Sequence, residues 1–426
     1  MNALDDAPKP HFVLVPFMAQ GHTIPMIDMA HLLVKHGALV SFITTPANAT
    51  RIESTIDRAR ELNLPIQFVP LKLCSATVGL PMAESVDKVS DKEQLKRLID
   101  AYGMLHEPLV SYLRAQSNPP SCIISDLCQP WTGDVARQLD IPRLMFTGFC
   151  AFSSLCRYII HQENVFENVS DDNELTVLPG FPHRIGVSKA RSPGNFNHPG
   201  FEQFGEKILK EERRADGVVT NSFYEQEPLY HEAYQKKIGK KVWSLGPMFL
   251  CNTDTSALTV RGDKPSDDEK HCLQWLDSMK SGSVLYVSFG SMARTVLSQI
   301  EEIAYGLEAS MSPFLWVIKS EDKHADIDKL MAEGFEDRIR GVSVGVQSIT
   351  TRTMKAHEVY IVKRDQIERA VLKLMGEEID AEERRMRAVE LKQKATQAIN
   401  EGSSYNNVQD LVEYVMTRGN ATISSA

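Results

Sequence analysis

The chain has 426 residues, a formal net charge of −9, 42% hydrophobic residues and 24% charged residues. That length accommodates two domains with separate cores, and the composition is that of an ordinary globular protein. The acidic balance argues against nucleic acid or an anionic membrane surface as partner, and no apolar run is long enough to span a bilayer.

Residues 1–10 are polar, carry Asp5 and Asp6, and lack the apolar stretch of a secretory signal. The seven cysteines are scattered, with no Cys-x-x-Cys. They fit a reducing, cytoplasmic setting and neither a disulfide framework nor a zinc site. The sequons at Asn48 and Asn168 are therefore expected to stay unmodified.

The first predicted element runs from His11 to Pro16, a short apolar stretch that reads as a buried parallel strand. Gln20 and Gly21 break it. Thr23 is the expected cap of the next helix, with Pro25 in its first turn and Met26, Met29, Ala30 and Leu33 on one face. Leu39–Thr44 and Ile66–Pro70 read as further strands, with a helix over about 48–62 between them. Helical spacing covers 91–116. Strands are expected at Cys122–Asp126 and Arg143–Phe146, separated by a helix over 131–139 and followed by one over 150–162. Gly217–Asn221 and Val242–Leu245 are later strands. Strands alternating with helices imply an α/β fold built on a doubly wound parallel sheet.

The pattern lapses near Gly246-Pro247, and 249–268 is polar and turn-rich, as a linker would be. It resumes with a strand over 283–289, a helix over 297–310 and a strand over 314–318. No βα unit is read in 319–362. Helices are expected over 364–375, 381–400 and 405–416. The implied organisation is one domain over 1–248, a linker over 249–268 and a second, smaller domain over 269–426.

Two residues stand at carboxyl ends of strands, where open α/β sheets bind ligands. His22 follows the first strand, and its imidazole can serve as a general base because its ordinary pKa is about 6.5. A surface histidine in a βα loop is the other reading. Asp126 ends its strand. Beside His22 it would fix the imidazole tautomer and stabilise the imidazolium, as the acid of a triad does; otherwise it caps the next helix. Ser288-Phe289-Gly290-Ser291 ends a strand and opens a helix, a place that suits a diphosphate or is a plain turn. No G-x-G-x-x-G or Walker A motif is present, which argues against a nicotinamide oxidoreductase, and no His/Cys cluster has metal-ligand spacing. Trp243 and Trp275 read as packing residues.

Together these stretches resemble the plant UDP-sugar-dependent glycosyltransferases of small molecules (family 1). Pro16–His22 with Pro25 matches their N-terminal acceptor loop, and Ser125-Asp126 with Pro130-Trp131 resembles the strand that carries their acid. Leu178-Pro179-Gly180-Phe181-Pro182, Asn221-Ser222-Phe223, Gly246-Pro247, Ser288–Ser291 and Gly402-Ser403-Ser404 are further landmarks in the expected order. The resemblance implies the GT-B fold, two Rossmann-like domains facing across a cleft. It implies that the first domain holds a small hydroxylated acceptor and the second the UDP-sugar, with glucose as the expected sugar. It also implies an inverting displacement with His22 as base, Asp126 as its partner, and no metal or cofactor. Gly290 and Ser291 would lie at the diphosphate. Phe17, Met18, Gly21 and Phe149 would line the acceptor pocket, although core packing serves equally for Phe17, Met18 and Phe149.

One family feature is missing from the sequence. The donor-binding box begins Trp-Ala-Pro-Gln, contains His-Cys-Gly-Trp-Asn-Ser and ends in an acidic-Gln pair. Here the last tryptophan is Trp316, and the only histidine beyond Ala332 is His357. Residues 334–338 resemble the segment before the box, and 341–346 the segment after it. The second domain is therefore expected to be incomplete. Groups that stabilise a leaving diphosphate commonly contribute about 10²–10³ in rate each. The alternative to an active transferase is thus an impaired splice form or pseudogene product that binds acceptor but not UDP-sugar.

Overall fold

The computed structural model describes residues 9–73, 79, 85, 86, 89, 91–192, 200–252, 268–289, 296–319, 335, 341–346 and 361–423. The chain divides into two compact units. The first comprises Met1–Ser85, Lys96–Asp263 and Leu391–Ala426, and the second Val86–Leu95 and Lys264–Glu390.

In the first unit the chain runs β1 (His11–Val15), α1 (Gln20–Lys35), β2 (Leu39–Thr44), α2 (Pro46–Arg51), α3 (Glu53–Glu61), β3 (Ile66–Pro70), α4 (Lys92–Gly103, which belongs to this unit from Lys96 on) and α5 (His106–Arg114). It continues through β4 (Cys122–Asp126), α6 (Thr132–Leu139), β5 (Arg143–Thr147), α7 (Ala151–Gln162) and the two-residue strands β6 (Thr176–Val177) and β7 (Gly186–Val187). Then follow α8 (Glu202–Arg214), β8 (Gly217–Thr220), α9 (Pro228–Ile238) and β9 (Val242–Ser244). Seven of these strands form one sheet in the order β3-β2-β1-β4-β5-β8-β9, and every pairing in it is parallel. β1, β4 and β5 are buried at every residue, and apolar side chains fill β1 beyond His11, the first three positions of β4 and the middle of β5. Strand order reverses between β1 and β4, where Val15 stands opposite Ser125. That is the topological switch point of a doubly wound sheet.

The second unit holds α10 (Asp268–Asp277), β10 (Leu285–Val287), α11 (Leu297–Ala309), β11 (Phe314–Lys319), β12 (Gly341–Val346) and α12 (Arg364–Met375). Its described strands form a parallel sheet β10-β11-β12. Phe314, Trp316 and Phe335 pack there with Ile300, Leu307 and Val371. β12 falls in the span where no βα unit was read, because Gly341 and Gly345 weaken its strand signal.

α13 (Ile379–Asn400) leads back to the first unit, and α14 (Ser403–Ile423) packs on that unit. This corrects the expectation that 269–426 forms one domain. The reason is an apolar stripe on α14, Val408, Leu411 and Val415, which joins the core that contains Trp243. Asp410 accepts from the Trp243 indole at 2.6 Å, and Asn407 donates to the Ser244 carbonyl at 3.0 Å. The helix thus covers the outer strand β9, which would otherwise present an open edge. Most of the expected linker lies outside the described residues.

Three local expectations also change. α1 begins at Gln20, not at Thr23, and its cap residue Ala19 makes no side-chain cap bond. Pro25 therefore lies inside the helix, where it has no N–H to offer the carbonyl of Gly21. The helix read over 48–62 is two helices broken at Ile52. The span 91–116 likewise divides, near Met104.

Candidate active site

β1 delivers the chain to Phe17, and α1 starts three residues later, so His22 sits in that helix's first turn. Its N–H donates to the Ala19 carbonyl at 3.0 Å. The Gln129 side chain, wholly buried, donates to the Pro16 carbonyl at 2.9 Å and accepts from the Trp131 indole at 2.7 Å. Gln129 therefore ties the loop after β1 to the loop after β4. Ser85 supports the same loop by donating to the Met18 carbonyl at 2.9 Å.

Across this bridge the two strand-end residues meet. Nδ1 of His22 donates to Oδ2 of Asp126 at 2.8 Å. Asp126 is fully buried, whereas the His22 side chain is 35% exposed. The other carboxylate oxygen accepts the Cys128 N–H at 2.8 Å, so Asp126 is a local turn acceptor and not the cap of α6, which begins at Thr132. With Nδ1 committed to the carboxylate, Nε2 is the nitrogen able to take a proton. Behind Asp126, Arg143 is buried and donates to Ser125 and Thr132 at 3.0 and 2.9 Å. Burial pushes its guanidinium down to about 10, against the pull of Glu211, so it remains a cation at neutral pH.

The remaining candidates separate. The Phe17 ring stands edge-on to the His22 imidazole at 5.3 Å and to Tyr102 at 5.7 Å. Met18 is wholly buried and Phe17 is 4% exposed. Gly21 faces open space: a Cβ there would meet nothing within 4 Å. Phe149 is 51% exposed in the turn that follows β5. Gly290 and Ser291 lie outside the described residues. Trp243 is core, and Trp275 is half-buried in α10. Among the described residues, no three His, Cys, Asp or Glu side chains converge to hold a metal ion, and no helix is long and apolar enough to cross a membrane.

Two sequence landmarks prove to be framework. Asn221 Oδ1 accepts the Met248 N–H at 2.9 Å, and a Cβ on Gly246 would stand 2.6 Å from that same oxygen. Ser222 donates to Glu227, a buried carboxylate that the sequence did not single out.

A parallel sheet of this order, in a chain with a second parallel α/β unit, is the architecture of the GT-B fold. The chain resembles Glycyrrhiza uralensis UGT73P12, a structure complexed with glycyrrhetinic acid 3-O-monoglucuronide, over 98% of both chains, with a TM-score of 0.84 and 27% identity. Arabidopsis thaliana UGT89C1 complexed with UDP-L-rhamnose shares the fold, with a TM-score of 0.70 and 22% identity over 96% of this chain and 100% of that one. No family model matches the chain. In sequence it is 35% identical to UDP-glycosyltransferase 73C11 of Barbarea vulgaris over 95% of this chain and 96% of that protein. It is 43% identical to UDP-glycosyltransferase 73D1 of Arabidopsis thaliana over 82% and 70%. The chain belongs to the plant UDP-glycosyltransferases. The alignment with 73C11 runs over 476 positions, whereas 95% of 426 residues is about 405, so roughly 70 positions of that relative have no counterpart here.

Proposed function

We propose that this protein transfers glucose from UDP-glucose to a hydroxyl of a small plant metabolite, of flavonoid, terpenoid or hormone-like type, in the cytosol. No metal or cofactor takes part. His22 Nε2 takes the proton as the acceptor O–H bond breaks. The oxygen forms a bond to the anomeric carbon from the face opposite the leaving group. The bond from that carbon to UDP breaks, and UDP leaves with the electron pair. Asp126 stabilises the imidazolium that His22 becomes, and Phe17 and Phe149 contact the acceptor. Gly290 and Ser291 hold the diphosphate.

The observation that carries this reading is the 2.8 Å contact between Nδ1 of His22 and Oδ2 of Asp126. It is tested by incubating the purified protein with radiolabelled UDP-glucose and a panel of acceptors. Labelled product above that of a His22→Ala control is expected, and its absence across the panel rejects the reading.

A second reading rests on the missing box. The last tryptophan is Trp316, roughly 70 positions of 73C11 find no counterpart, and β12 pairs directly on β11. On this reading the chain binds acceptor and not UDP-sugar. Calorimetry separates the two: saturable heat with UDP supports the transferase, and heat with acceptor alone supports the binding protein.

A further inference from the structure

Glu227 is buried at the start of α9, yet its carboxylate serves α7. The N–H of Ala151 reaches Oε1 at 2.7 Å, and the N–H of Phe152 reaches Oε2 at 2.8 Å. The Ser222 hydroxyl donates to Oε1 as well. The first N–H groups of a helix have no partner inside it, and the local cap residue Cys150 makes no side-chain cap bond. The cap is therefore supplied from 76 residues away.

Immediately before these amides the chain turns through Gly148, Phe149 and Cys150, between the end of β5 and α7. β5 is the neighbour of β4, and Phe146 stands opposite Asp126 in the register. The turn therefore lies at the same rim of the sheet as the His22/Asp126 pair. It carries the half-exposed Phe149 ring. The Phe149 N–H donates to Thr147 Oγ1 at 3.3 Å, and at the far end of the turn the Cys150 carbonyl accepts the Ser154 N–H at 3.0 Å while the Glu227 carboxylate holds the two amides that follow. The same carboxylate joins the two helices whose rings meet. Phe152 of α7 lies edge-on to Tyr230 of α9 at 4.9 Å and to Phe181 at 5.2 Å. Phe181 belongs to the proline-rich stretch 178–182, so that loop docks on the clamped helices.

We propose that Glu227 is a positioning residue for the transfer reaction: it fixes the Gly148–Cys150 turn, and through it the Phe149 ring, as one wall of the acceptor site. This rests on the transferase reading above. A glutamine in its place can accept only one of the two amide bonds well and turns an N–H donor toward the other. The turn then loses one anchor while the donor side of the reaction is untouched.

The full-length protein is assayed with UDP-glucose and quercetin as acceptor probe. Glu227→Gln is expected to raise the quercetin KM about tenfold, with kcat and the UDP-glucose KM within about twofold. Phe149→Ala should give a similar shift, and the double variant should be no worse than the larger single change. Ser222→Ala, which removes only the hydroxyl from Oε1, shifts KM less in the same sense and serves if Glu227→Gln does not fold. Amide exchange at Ala151 and Phe152 should accelerate in Glu227→Gln while β4 stays protected. A quercetin KM equal to wild type, additive effects of the two substitutions, or unchanged exchange each overturns the proposal alone. A wild-type protein without transfer to any acceptor overturns the transferase reading and this proposal with it.

Discussion

His22 and Asp126 lie 104 residues apart in the chain, and Nδ1 of the first is 2.8 Å from Oδ2 of the second. The meeting follows from topology, because β1 and β4 are neighbours at the point where strand order reverses. Asp126→Asn keeps the size of the side chain and removes its charge. An asparagine still bonded to the Cys128 N–H through oxygen turns its NH₂ toward His22. The imidazole must then accept at Nδ1, which puts the proton on Nε2 and removes the base. Sugar transfer by Asp126→Asn and by His22→Ala should each fall about 10²–10⁴-fold. The double variant should fall no further than the worse single one, because the residues act as a unit. Initial rates with labelled UDP-glucose check this, and a double variant whose losses multiply breaks the coupling.

The legible part of the sequence was the part where burial is continuous. β1, β4 and β5 are buried at every residue and largely apolar, and their expected bounds agree with the structure to within a residue. The strand ends placed His22 and Asp126 on one rim of a parallel sheet, but their pairing was legible only through the family resemblance, since a surface histidine and a helix cap fit the same positions. α8 was not read, because Glu-Glu-Arg-Arg at its end looks like a solvated face. In the structure Glu211 and Glu212 are buried against Arg137 and Arg157, partners from distant helices. Gln129 and Glu227 were missed on similar grounds: their contacts span 113 and 76 residues and carry no local signal. The stripe on α14 announces burial but not against which unit.

Gly217 in β8 and Trp243 in β9 allow a packing test. A Cβ on Gly217 would stand 2.5 Å from a ring carbon of Trp243 and 3.0 Å from the Lys241 carbonyl oxygen. The indole cannot yield easily, because it is wholly buried and Asp410 of α14 holds its N–H. Gly217→Ala should therefore destabilise the first unit by about 1–3 kcal/mol. Adding Trp243→Phe, which shortens the ring, should reduce the additional cost of the alanine to under about 1 kcal/mol. Urea unfolding of the single and double variants reads both, and a neutral Gly217→Ala contradicts the packing described.

The ion pair of Arg157 and Glu212 is buried on both sides, 3% and 2% exposed, and the Tyr234 hydroxyl donates to the same Glu212 oxygen at 3.1 Å. Burial alone would push the Arg157 guanidinium down, but Glu212 and Tyr234 outweigh it and hold it up. Removing one partner leaves a charge with no counterion in a dry site. Glu212→Leu should cost about 3–5 kcal/mol, whereas Arg157→Met combined with Glu212→Leu should recover most of that loss. Chemical denaturation of the three proteins decides it, and a double variant as unstable as the single one would show that the pair does more than neutralise itself.

His11 links the amino ends of the first strands and sets a pH dependence. Its Nδ1 lies 2.9 Å from the Asn118 carbonyl oxygen and its Nε2 lies 2.8 Å from the Ser41 hydroxyl. Burial pushes the His11 imidazole below its ordinary 6.5, and burial does the same to His231, whose Nδ1 is 3.0 Å from the Ser244 hydroxyl. His161 is lowered too, by burial and then by Arg157. These groups resist protonation in the folded state, so below about pH 6.5 the unfolded chain takes up protons that the native chain does not. Their stabilising contribution is complete above that pH and is lost as the pH falls toward the folded values. Each histidine steepens the loss by at most about 1.4 kcal/mol per pH unit. Urea unfolding at pH 7.5 and at pH 5.5 should show lower stability at the acid value. His11→Gln, which keeps two polar contacts without a titrating group, should flatten the slope by up to one histidine's share. A slope indifferent to that change, and to His231→Gln, would place the acid sensitivity elsewhere.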